Sequence, residues 1–393
     1  MTPPRLKGEN HMRLKWECPL SCSSNSSPDD FESPIFCHGG YVYYACKGST
    51  GTDFHIVDAA TGEDHVHSFD RALWVHASSL FAFAYRGRVI YCFDDLLEAE
   101  GTQVLHRLRM PGSVQRYLLY GHMLIIDCGR LLGVDLDAFT IAWVLQLDGD
   151  KPYGTGELAP FGDLITCYGR NQLLFVNPLD SSITDAISIP RINKLYRPVT
   201  LPDGTLLIGY TNWTNAGVLR YHPEEKRILW RHKRQFQGPQ LNCRLWHEEG
   251  RTYWVKNDTE LICLSDDTGE ELFQLRTAPW LYTPLEFRDG RILFGTSGAN
   301  GYINCADAVT GEMLWNMHLL NGCSYYAVHD ETVLVGDFSK QIFRLDMRDG
   351  SVIDQLQVDG QVVGRIAVHD NRLYTVLWEN DEKPQRLVCI QLD

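Results

Sequence analysis

The sequence predicts an all-β chain folded as a closed β-propeller of four-stranded antiparallel blades. Two observations predict it: one turn that recurs along the chain, and the near-constant spacing between its copies. Asp58-Ala59-Ala60-Thr61-Gly62-Glu63 returns as Ser265-Asp266-Asp267-Thr268-Gly269-Glu270, as Asp307-Ala308-Val309-Thr310-Gly311-Glu312 and as Asp346-Met347-Arg348-Asp349-Gly350. Each copy follows an apolar run and precedes another, so each closes a hairpin. The Asp or Ser at the start accepts hydrogen bonds from the turn amides, and the Gly four residues on takes the positive φ that returns the chain.

Fainter copies follow Phe93-Asp94, Val134-Asp135, Val176-Asn177, Arg220-Tyr221 and Leu392-Asp393. Successive anchors lie about 42 residues apart, the length of one propeller blade. Each interval has room for two earlier strands joined by another turn, such as Leu201-Pro202-Asp203-Gly204 or Arg288-Asp289-Gly290. Short apolar runs between Gly and Asp turns, without a sustained helical period, define antiparallel sheets. The expectation is eight or nine blades, with seven as the fallback. The unit around Asp94, with its insertion Asp95-Leu96-Leu97-Glu98-Ala99-Glu100, is the one expected to fall outside the repeat.

Eight residues beyond an anchor a large apolar side chain recurs: Trp143 after Asp135, Phe273 after Ser265 and Trp315 after Asp307, with Trp230 one place later than its anchor Tyr221. Such residues are expected to fill the wedge between neighbouring twisted sheets. The last unit ends at its anchored strand and lacks a fourth one. Residues 12–18, which contain Trp16, are expected to return as that missing strand, with residues 1–11 as a flexible tail and the whole chain as one domain.

Composition bounds the function. Lys and Arg total 36 against 50 Asp and Glu, a net charge of −14 that repels nucleic acid and anionic membrane. The start of the chain has no signal-like apolar run, and no segment is apolar enough to span a bilayer as a helix, so the expectation is a cytoplasmic, soluble monomer. The 12 cysteines are scattered singly and are expected as free thiols.

The string Ala306-Asp307-Ala308-Val309-Thr310-Gly311-Glu312-Met313-Leu314-Trp315 resembles the tryptophan-docking repeat of the quinoprotein family, the PQQ-like propellers, and the resemblance extends over most of the chain from Pro34. It implies the propeller fold. That family includes quinone-dependent alcohol dehydrogenases and non-catalytic assembly scaffolds. The dehydrogenases carry an adjacent cysteine pair against the cofactor, and no two cysteines are adjacent here. The resemblance therefore implies the non-catalytic branch, with no cofactor.

Other constellations each have a plain structural explanation. His65 and His67 alternate on one strand as two metal ligands would, but no third ligand is near. Cys18 and Cys22 have no second pair to complete a zinc site. Asp148, Asp150 and the Gly154–Glu157 loop lack the full calcium-loop pattern. The basic run Lys226–Arg234 would dock an acidic partner or simply form a wet outer strand. Trp213, Trp246, Trp254, Trp280 and Tyr282, in or near turns, would anchor a partner or pack between blades. The function expected is a scaffold that binds a protein or peptide. The alternative is a propeller enzyme, a metal-dependent hydrolase or lyase or a divergent quinone-dependent oxidoreductase, with its site in the central funnel. No catalytic, cofactor or metal residue is assigned.

Overall fold

The computed structural model describes residues 12–21, 35–47, 52–69, 74–77, 82–86, 89–93, 104–112, 114, 116–146, 158–169, 172–188, 192, 194–212, 214–235, 244–256, 259–277, 280–281, 283–297, 301–320, 325–363, 365–380 and 383–392. These contain 39 strands and no helix, arranged as nine antiparallel sheets. The chain is an all-β, multi-bladed propeller. In chain order the sheets span residues 36–69, 74–109, 116–145, 159–188, 194–235, 244–276, 280–319, 326–357 and 361–391. The strands on either side of Asp94, Val89–Phe93 and Val104–Arg109, do not fall outside the repeat, since they belong to a four-stranded second sheet in simple order like its neighbours, while the insertion at residues 95–100 lies outside the described residues. Asp94 itself lies outside the described residues.

Contacts divide the chain into two compact units. One holds Met1–Arg86, Tyr91–Leu105 and Ala278–Asp393; the other holds Gly87–Ile90 and His106–Thr277. Sheets three to six make up the second unit, and sheets seven, eight, nine and one belong to the first. In both, the middle strands are mostly apolar and buried on both faces, as in Met123–Asp127 and Leu206–Thr211. Outer strands alternate, as in Met313–Leu319, because one side meets the next sheet and the other meets water.

The ninth sheet takes its outer strand from the N-terminus. Arg13–Pro19 pairs antiparallel with Arg386–Gln391, placing Trp16 opposite Cys389. Cys18 and Leu20 then pack against Val42, Cys46 and Val57 of the first sheet. The two ends of the sequence thus meet in one seam of the first unit.

The recurrent hairpin is held in the same way at every well-described copy. Asp58 Oδ1 accepts from the amides of Ala60 and Thr61 at 2.8 and 2.7 Å, and Asp307 Oδ1 accepts from Val309 and Thr310 at 2.9 and 2.7 Å. Asp135 does likewise, Asp346 Oδ1 accepts from the amide of Arg348 at 2.8 Å, and Ser265 accepts more weakly from Thr268 at 3.4 Å. The residue after each anchor donates its amide back to the first turn of its own sheet: Ala59 to Gly40, Asp266 to Gly250, Ala308 to Gly290 and Met347 to Glu331.

The fourth residue beyond the anchor has positive φ whether or not it is glycine. Gly62, Gly269, Gly311 and Gly350 fill it in the clear copies, and Phe139, Ser181 and Lys226 fill it in the faint ones. Lys226 identifies the anchor of the fifth sheet as His222 rather than Tyr221. Trp230 therefore stands eight residues beyond its anchor, like Trp143 and Trp315, and its apparent displacement in the sequence reading disappears.

In the sixth sheet, Gly250 and Gly269 both have positive φ, but a Cβ at Gly250 would meet nothing within 4 Å whereas one at Gly269 would lie 2.5 Å from the Trp230 ring. Gly250→Ala is expected to cost about 1 kcal/mol of stability from backbone strain alone, and Gly269→Ala about 2–4 kcal/mol because the ring must also move. Urea unfolding of the two variants checks the difference.

Candidate functional site

The residues singled out by sequence form a device that joins one sheet to the next. In the outer strand, pairing with the third strand slips by one residue just before the eighth position: between Gly133 and Val134, Arg220 and Tyr221, and Cys305 and Ala306. A bulge of this kind re-aims the next side chain. Trp143 Nε1 donates to the carbonyl of Pro178 at 2.8 Å, Trp230 to Asp266 at 2.5 Å, Trp315 to Met347 at 2.9 Å and Trp16 to Ala59 at 3.1 Å. Every acceptor is the residue after an anchor in the following sheet. The rings lie against the turn glycines, so that a Cβ at Gly62 would sit 2.7 Å from Trp16 and one at Gly350 2.6 Å from Trp315. Phe273 occupies the same place in the sixth sheet, half-buried and without an N–H to donate.

Two sheets carry Asp at the eighth position instead. Asp185 meets Lys226 Nζ at 3.0 Å in the turn of the fifth sheet. Asp354, 2% exposed, accepts the amide of Met12. At that seam the next sheet has no anchored hairpin, because its outer strand begins at the chain start. An amide there needs an acceptor rather than a donor, and a carboxylate supplies it.

Beneath the docked rings are two buried charge clusters. In the seam of sheets five and six, Arg220 donates to Thr205 Oγ1 at 2.9 Å, to the Asp266 carbonyl at 2.7 Å and to the Asp203 carboxylate. The Asp266 carboxylate accepts from Thr252 Oγ1 at 2.5 Å and meets His247 Nε2 at 2.8 Å.

The second cluster lies between the first and ninth sheets and was missed by the sequence reading. His55, fully buried on the strand Thr52–Asp58, places Nδ1 2.8 Å from Asp64 Oδ2 and Nε2 3.2 Å from Ser21 Oγ. Ser21 Oγ also donates to the Asp53 carboxylate, and Cys46 Sγ lies 3.5 Å from Nε2. Alternation along the strand turns Asp53, His55 and Val57 toward the ninth sheet, which delivers Ser21 from beyond Pro19. The polar His within the apolar run Phe54-His55-Ile56-Val57 was the available signal.

Asp64, His55 and Ser21 have the spacing of a hydrolytic triad, but the protons are in the wrong places. Burial opposes the charged ring, yet hydrogen bonds to Asp64 and Cys46 outweigh it and push the His55 pKa up to about 9. A ring already protonated at neutral pH cannot act as a general base, and the Ser21 hydroxyl is turned to Asp53. Burial, with Asp64 nearby, likewise pushes the Cys18 thiol up to about 12. The cluster is an ionic tie between sheets.

The remaining candidates separate. Trp254 is fully buried in the strand Arg251–Lys256 and belongs to the core, not to a turn. Trp246 is half-buried in the strand Arg244–Glu248. Trp280 lies in a short strand, and its side chain, like Trp213, Tyr282, Cys22 and the Asp148–Glu157 loop, lies outside the described residues. The basic run forms the long outer strand Arg227–Gln235, where its charges are met locally. Lys226 pairs with Asp185, Arg227 with Glu225 at 2.5 Å and Arg234 with Glu271, while Arg231 lies over the Tyr210 ring. Among the described residues no three His, Cys, Asp or Glu side chains are placed to hold a metal. The eight cysteines whose side chains are described are free thiols and none is next to another in the sequence, so they do not fit a quinone that stacks on an adjacent pair.

Residues 214–390 match the family model described as "Outer membrane protein assembly factor BamB". No curated protein matches the chain. Among solved structures, BamB from Moraxella catarrhalis is 15% identical with a TM-score of 0.52, over 81% of this chain and 95% of that one. The computationally designed Ika8 protein is 12% identical with a TM-score of 0.54, over 95% and 98%. The quinohemoprotein alcohol dehydrogenase ADHIIG from Pseudomonas putida HK5 is 9% identical with a TM-score of 0.54, over 97% of this chain and 76% of that one. Residues 214–390 thus resemble the repeats of that family, and the likeness to these solved structures shows the propeller fold for the chain.

Two outcomes follow from the geometry. Trp315→Phe strands the Met347 carbonyl and is expected to cost about 1–2 kcal/mol, whereas Trp230→Phe costs less because Arg220 still bonds the Asp266 carbonyl. Denaturant unfolding of the pair checks it. For His55 the folded pKa of about 9 lies above the ordinary value of 6.5. Its contribution is therefore complete below pH 6.5 and declines as pH rises toward 9, by about 3 kcal/mol in all. Unfolding free energies measured across that window should fall in the wild type and stay flatter in His55→Gln.

Proposed function

We propose that the chain is a non-catalytic propeller scaffold that binds a protein or peptide partner through its loops and faces. The observation that carries this reading is that the polar groups of the two clusters are engaged by partners within their own sheet and from the next, His55 by Asp64 of its own sheet and by Ser21 at the exit of the closing strand, and Arg220 by Asp203 and Thr205 of its own sheet and by the Asp266 carbonyl of the sixth. Their polarity is spent on joining sheets rather than on a reacting group. The match of residues 214–390 to an assembly factor supports the same reading. We place the protein in a reducing compartment, the cytoplasm, as a monomer; the free thiols support this. Among the described residues no helix is long and apolar enough to cross a membrane.

The likeness to a quinohemoprotein alcohol dehydrogenase favours a second reading, a divergent quinone-dependent oxidoreductase. One experiment separates the two. The tagged chain and its Trp213→Ala variant are purified from the source cells, and each preparation is analysed for co-purifying protein, metal and quinone absorbance. The scaffold reading expects a stoichiometric partner that the variant loses without a change in thermal midpoint. A stoichiometric metal or quinone with no partner would overturn it.

A further inference from the structure

The outer strand of the ninth sheet, Arg13–Pro19, is joined to its neighbour by pairing and side chains alone, with no turn between them. Its two ends are held differently. At the start, the Met12 amide is bound by Asp354 and Trp16 docks on Ala59. At the exit, the Leu20 amide donates to the Gln385 carbonyl at 2.7 Å, and Ser21 bridges Asp53 and His55 of the first sheet.

We propose that Asp64, His55, Ser21 and Asp53 form a proton-operated clasp on the exit of the closing strand, which holds that exit against the first sheet through two ties while the imidazole is doubly protonated and loosens it to the Ser21–Asp53 bond alone when the imidazole is neutral. The distances around the ring support this. A doubly protonated ring donates from Nδ1 to Asp64 and from Nε2 to Ser21 Oγ, while the Ser21 proton goes to Asp53. The positive ring then sits between two carboxylates. When it loses a proton, the remaining N–H stays on Nδ1, opposite the carboxylate at 2.8 Å. Nε2 becomes an acceptor facing an oxygen whose only proton Asp53 already holds. The nearest alternative donor is the Cys46 thiol at 3.5 Å, which lies in the first sheet and does nothing to retain Ser21.

The groups that face the ring come from every strand around it. Asp53 lies on its own strand, Cys46 on the strand before, Asp64 at the start of the strand after, and Cys18 and Ser21 on the closing strand and its exit. Among the described residues no Lys or Arg is ion-paired with Asp53 or Asp64, so His55 is the cation that offsets them. The Asp64 carboxylate is otherwise met, among the described residues, only by the weak donor Cys18, which makes the ring charge harder to replace.

Hydrogen exchange of the full chain between pH 6.5 and 9.5, corrected for intrinsic rates, tests the clasp. The Leu20 amide is expected to lose protection by about ten-fold per pH unit up to pH 9, while amides in Arg372–Trp378 keep theirs. Ser21→Ala, at an exposed residue that does not threaten folding, should remove that dependence at Leu20 and leave His55 titrating; His55→Gln should flatten it as well. Protection at Leu20 that tracks Arg372–Trp378 throughout, or a dependence unchanged in Ser21→Ala, would overturn the proposal.

Discussion

The structure depends on one residue per repeat, the one that follows the anchor. Its amide is bound within its own sheet, as from Ala59 to Gly40 or from Met347 to Glu331, and its carbonyl accepts the docked side chain of the sheet before. A single peptide unit thus fixes both the fold of one hairpin and its distance from the next sheet. The bulge before the eighth position serves the same constraint, since without the slip the indole would point along the sheet rather than across the seam. Large rings are suited to this role because they combine apolar area with a single donor.

Much of this was legible in the sequence, because the turn chemistry is local. Asp58, Asp307 and Asp346 make their hydrogen bonds within three residues, so their pattern survives as a string of letters. The faint copies keep the backbone and change the letter: Phe139, Ser181 and Lys226 adopt the positive φ that glycine adopts elsewhere, held there by the surrounding hairpin. Asp185 and Asp354 were hidden for a related reason, since a search for bulky residues passes over a carboxylate doing the same task through a hydrogen bond.

The His55 cluster was beyond sequence reasoning in a stronger sense. Ser21 and Asp64 are 43 positions apart and come together only because the first and ninth sheets share a seam. His65 and His67 drew attention by their spacing, while the histidine that matters stood one strand earlier. The basic run misled in the opposite direction: its charge is conspicuous in the sequence, yet Asp185, Glu225 and Glu271 offset much of it locally.

The sharing of the ninth sheet between the two ends of the chain also bears on synthesis. The strand Arg13–Pro19 leaves the ribosome long before its partner Arg386–Gln391. Until that partner is made, the early strand is an unsatisfied edge, with Trp16 exposed and its backbone open to any neighbouring chain. The contact that completes the sheet joins residues as far apart as Glu17 and Arg386, 369 positions, so nascent chains must be kept apart until Arg386–Gln391 emerges.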